Sequence, residues 1–117
     1  TVDRFRQGLG NNHPYALSAA VNLANHIFDS GDIAKARELE EVNYAWMREV
    51  WGDGHPDTLA AASNLTISRE AAGEASAMLL RETVAERSRQ VLGDTHPNTR
   101  AVVERRRMDC DIEVPPP

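Results

Sequence analysis

Three histidines, His13, His55 and His96, each stand directly before a proline, and each has acidic or amide residues close by. Imidazoles beside carboxylates are the material of zinc sites and of acid–base catalysis. The spacing argues against both. The His-Pro pairs recur at intervals of 42 and 41 residues, and their surroundings recur with them: Leu9-Gly10-Asn11-Asn12-His13-Pro14, Trp51-Gly52-Asp53-Gly54-His55-Pro56 and Leu92-Gly93-Asp94-Thr95-His96-Pro97. A fixed period of this length means stacked supersecondary units. The imidazoles then occupy equivalent places in successive units, and stacked helices lie about 8–10 Å apart, too far to share an ion. Proline suits the first position of a helix, where its missing N–H costs nothing, so the histidine before it is the natural N-cap. The histidines are read as helix-start caps, and no metal is expected.

The other reactive side chains carry as little catalytic signal. Cys110 lies between Asp109 and Asp111, whose charges disfavour a thiolate. As the single cysteine it has no internal disulfide partner, which points to a reducing, cytoplasmic setting. Arg100, Arg105, Arg106 and Arg107 form a basic cluster that Glu104 and Asp109 partly offset, and a solvated helix face accounts for it. There is no glycine-rich phosphate loop, nucleophile elbow or metal-spaced Cys/His set. No enzyme and no cofactor are expected. Across 117 residues, 13 Lys+Arg face 18 Asp+Glu, a net charge of −5 that argues against nucleic acid or an anionic membrane as partner. The chain has neither a membrane-length apolar run nor a signal-peptide pattern.

The elements that position these residues read as helix pairs. From Pro14, apolar residues recur at Leu17, Ala20, Val21, Ala24, Ile27 and Phe28, the spacing of one helix face. Tyr15, Ser18, Asn22, Asn25, His26 and Asp29 share the opposite side. Gly31 ends this helix and Asp32 caps the next, whose inward stripe is Ala36, Leu39, Val42, Trp46 and Val50. Trp46 and Trp51 are expected as anchors between helices. The second unit repeats the plan: Pro56 opens a helix with Leu59, Ala62, Leu65 and Thr66 inward, Gly73 closes it, and Glu74 begins a partner with Ala77, Leu80, Val84 and Val91 inward. Arg69 and Glu70 replace Ile27 and Phe28 of the first unit, which implies looser packing there or charges paired across the helix pair. A third, half unit runs as a helix from Pro97 to about Met108 with Val102, Val103 and Met108 inward. Its Arg105 stands where the other units have Asn22 and Asn64, as expected of a polar capping helix. The divisions are thus 1–8, the end of a preceding repeat helix; 9–50 and 51–91, two full units; 92–109, the capping helix; and 110–117, an extended proline-rich tail.

The pattern Leu-Gly-x-x-His-Pro-x-x-Leu, then Asn22-Leu23-Ala24 or Asn64-Leu65-Thr66, then Gly31 or Gly73, with a partner helix ending in Val-Trp or Val-Leu before glycine, resembles the 42-residue tetratricopeptide repeat (TPR) of the kinesin light chain type. The end of the chain, from Arg107 to Pro116, is similar to the C-termini of actinobacterial proteins that carry such repeats behind a STAND, NB-ARC-type ATPase module, some of the FxSxx-COOH system. The resemblance implies an all-α fold: a right-handed α-solenoid of antiparallel helix pairs whose first helices line a concave groove for a peptide or protein segment. It assigns Asn22 and Asn64 to that groove. His26, Tyr15, Ser18, Ser68 and Asp57 share the face, and each is also explained by solvation or backbone capping.

Three roles follow as expectations. The chain is a protein-interaction scaffold that binds an extended segment. Alternatively it is a regulatory arm that restrains an upstream ATPase domain of the same chain. A third possibility is self-association, a homodimer formed through the open N-terminal end around Val2 and Phe5.

Overall fold

A computed structural model describes residues 14–108, with side chains from residue 17 onward. Among the described residues there are five helices and no strand: α1 (Pro14–Asp29), α2 (Ile33–Trp51), α3 (Pro56–Ala71), α4 (Ser76–Leu92) and α5 (Pro97–Glu104). Connections of three or four residues reverse the chain each time, so each helix packs on the one before it, and α1 also touches α3. None of the helices is long and apolar enough to cross a membrane.

The repeat seen in the sequence recurs in individual bonds. The His55 Nδ1 atom accepts the N–H of Asp57 at 3.1 Å, and His96 Nδ1 accepts that of Asn98 at 3.0 Å. Both imidazoles are therefore helix caps, and His55 also stacks on Trp51 at 4.6 Å. Thr58 Oγ1 donates to the Met47 carbonyl at 3.4 Å, as Thr99 Oγ1 donates to that of Ser88 at 3.3 Å. These pairs tie the start of one helix to the end of the helix before it, in the same way in both copies. His13 lies outside the described residues.

Helix α3 is central among the described residues. Residues 58–66 are buried without interruption, because α3 is covered on several sides. Its small residues Ala60, Ala61, Ala62 and Ser63 let the neighbouring backbones approach closely. Leu17, Val21, Met47, Ala60 and Ala61 form one apolar cluster, against which Trp46 and Trp51 pack. Leu59, Ala62, Val84, Ala85 and Val102 form a second. Met108 packs against both.

Two inward stripes differ from the sequence reading. In α2 the buried positions are Ala36, Leu39, Glu40, Asn43 and Met47, whereas Val42 is 39% exposed. The stripe is turned toward two polar residues that apolar periodicity skips over. In α4 Val91 is 49% exposed and Ser88 is buried in its place, next to the Thr99 bond. The third correction concerns α5. It ends at Glu104 instead of continuing to Met108, and Val103 is exposed.

The cause lies in the backbone. Arg105 takes a left-handed conformation with φ 59°, and the N–H groups of Arg105 and Arg106 donate to the carbonyls of Val102 and Ala101. This is the Schellman closure by which Gly31 and Gly73 end α1 and α3, with an arginine in the position that favours glycine.

Candidate functional site

Past Arg105 the chain folds back across α1, α2 and α3, and Arg107 and Met108 settle into the cleft between them. The guanidinium of Arg107 meets all three helices. Its Nε donates to Asn25 Oδ1 on α1 at 2.7 Å, its Nη2 to Glu40 Oε1 on α2 at 3.0 Å, and its Nη1 to Ser68 Oγ at 3.1 Å and to the Asn64 carbonyl at 3.4 Å on α3. The Phe28 ring lies 4.0 Å from the guanidinium carbon and adds a cation–π contact. An arginine suits such a pocket, because its planar fork offers several donors at fixed angles.

The next residue is held by its backbone. Asn64 Oδ1 accepts the Met108 N–H at 2.7 Å, while Asn64 Nδ2 donates to the Met108 carbonyl at 2.7 Å. Asn25 Nδ2 donates to the same carbonyl at 2.8 Å. Each carboxamide thus works in both directions. Asn25 accepts from Arg107 and donates to Met108, so one side chain fixes the spacing between the two residues.

The floor of the pocket is Glu40, only 4% exposed. Burial raises its carboxyl above the ordinary value of 4.5, against the charge of Arg107 and the hydrogen bonds from Ser68 and Arg107, which pull it down. Ser68 Oγ donates to Glu40 Oε1 at 2.5 Å and accepts from Arg107, so it bridges acid and base. The second carboxylate oxygen, Glu40 Oε2, is buried without a hydrogen-bond partner among the described residues. A carboxylate placed so is expensive unless a cation faces it.

The expected groove residues divide accordingly. Asn64 and Ser68 are in the site. Asn22 is half-buried on α1, one turn before Asn25, the carboxamide that holds Met108. Ser18 is buried, and His26 is exposed on α1. The side chain of Tyr15 lies outside the described residues, and Asp57 is half-buried at the α3 cap. Sequence reasoning placed Asn25 on the polar face of α1 without naming it as a groove residue, and it missed Phe28, Glu40 and Arg107. The signal for Glu40 was available: Ala36, Glu40, Asn43 and Met47 carry helical spacing once polar residues are allowed on the stripe. Arg107, expected on a solvated face, is 14% exposed.

Arg69 and Glu70 resolve as paired charges. Arg69 meets Glu41 on α2 at 2.5 Å, and Glu70 pairs with Arg81 on α4 and, at 3.7 Å, with Arg105. The Glu70–Arg105 pair lies at the bend where the chain turns back toward the cleft. Compared with protein-family models, with curated proteins and with solved structures, the chain matches none. The cleft brings together a buried acid, an aromatic face, and two carboxamides that bond the main chain of Met108.

Proposed function

We propose that this chain is a peptide-binding module, a right-handed superhelix of tetratricopeptide-type helix pairs whose first helices line a groove for an extended segment of another protein. The observation that carries the reading is the double hydrogen bond between Asn64 and the backbone of Met108. A side chain that pairs with both main-chain groups of one residue holds an extended segment whatever its sequence, as an added strand is held at a sheet edge. The helix-pair repeat, with its recurring caps and Thr–carbonyl bonds, supplies the rigid frame that such a groove needs.

Selection of displayed random peptides on the immobilised chain tests the reading. Peptides should be recovered. Introduced into the variant Arg107→Ala/Met108→Ala, whose own segment no longer competes for the cleft, Asn64→Ala should weaken them about tenfold or more, the cost of two lost hydrogen bonds, with helicity unchanged by circular dichroism. Selected peptides that bind this variant equally tightly with and without Asn64→Ala would place recognition elsewhere on the surface and remove this function.

A further inference from the structure

Arg107 and Met108 are held as a ligand is held. They lie far along the chain from every residue that grips them, and they make side-chain-specific contacts at one position and backbone contacts at the next. The pocket is also costly to leave empty. Glu40 is buried, has one oxygen already without a partner, and would face Ser68 alone if the guanidinium left. The segment that fills it leaves α5 through a left-handed arginine, a conformation that L-residues other than glycine adopt with strain.

We propose that the groove reads an arginine followed by a long apolar residue, and that Arg107-Met108 is an internal copy of this ligand, which a partner segment of the same chemistry displaces. The inference rests on the peptide-binding function above and names its ligand. Arginine is read by Glu40, Ser68, Asn25 and the Phe28 face. The apolar residue is read by the two clusters that Met108 bridges. The net charge of −5 favours approach of an arginine-bearing partner. An internal competitor acts at an effective concentration on the order of millimolar, so it weakens every external ligand by a constant factor.

The test is fluorescence anisotropy with a labelled peptide copying residues 104–109. Its targets are the parent chain and the opened variant Arg107→Ala/Met108→Ala, whose fold is checked by circular dichroism. The opened variant should bind at least about tenfold more tightly than the parent. It should prefer the peptide to a version with alanine at the place of Arg107, and adding Glu40→Gln should reduce that preference. Equal binding of the arginine and alanine peptides would overturn the arginine reading while leaving peptide capture intact. A folded opened variant that binds neither peptide would overturn both. Dimers of the parent that excess peptide dissolves would make a second copy the occupant and overturn the external partner. Should the opened variant not fold, hydrogen exchange of the parent decides. Exchange at the Met108 amide, which Asn64 holds, should accelerate several-fold with excess peptide, and an unchanged rate would overturn displacement.

Discussion

Asn64 on α3 and Met108, 44 positions later in the chain, exchange two hydrogen bonds of 2.7 Å, one from each main-chain group of Met108. Both carboxamide functions are used, so the replacements separate them. Asn64→Ala loses both bonds and should cost about 1–3 kcal/mol, read as a lower urea midpoint with an unchanged slope. Asn64→Asp keeps the acceptor but turns the donor into a second oxygen that faces the Met108 carbonyl. It should be at least as costly, and in both variants the Met108 amide should exchange hydrogen faster.

Arg107 and Glu40 are coupled through burial. Arg107→Ala strands a buried carboxylate and should destabilise the chain by about 3–5 kcal/mol at pH 7, whereas the double variant with Glu40→Gln should recover a large part of that loss. A double-mutant cycle by chemical denaturation measures the coupling.

Stability should depend on pH through the same acid. The folded-state pKa of Glu40 is raised above the ordinary 4.5, chiefly by burial. The folded form therefore holds its proton more tightly than the unfolded chain. The associated stability is fully present below the ordinary value and is lost as pH rises through the raised one. Arg107→Ala removes an influence that lowers this pKa, so the loss should deepen and extend to higher pH. Glu40→Gln should flatten this part of the profile, as urea midpoints measured between pH 4 and pH 8 would show.

Arg105 offers a stabilising change. With φ at 59°, Arg105→Gly relieves a left-handed strain of about 1 kcal/mol. The exposed 3.7 Å pair with Glu70 that it gives up contributes little. A rise in Tm of a few degrees is expected in calorimetry. Arg105→Val, β-branched at the same φ, should lower it.

The two capping histidines make an internal comparison. Removing either cap should cost about 1 kcal/mol. His55→Ala also loses the stack on Trp51, so its thermal shift should exceed that of His96→Ala.

The helices and their caps were legible because period, proline and glycine are local signals. Arg105 was legible as a departure from the repeat, at the place of Asn64, but its consequence was not. Arg105-Arg106-Arg107 is a run of good helix formers, and local propensity extends α5 through it. The helix stops because Arg107 gains Glu40, Ser68, Asn25 and Phe28 only if the chain turns back, and those partners lie 39 or more positions away in sequence. Glu40 and Asn43 escaped for a related reason. A search for apolar periodicity places Val42 inward, whereas the buried stripe carries Glu40, on which the cleft depends, and Asn43.

Met108 packs against both apolar clusters, one centred on the first helix pair and one on the second. In stacked-unit proteins, cooperativity is set by contacts between neighbours. The two clusters already share α3, through Ala60 and Ala61 on one side and Leu59 and Ala62 on the other, and Met108 closes over that join as a clasp. Lifting it would leave that join to α3 alone and loosen the coupling between the two clusters.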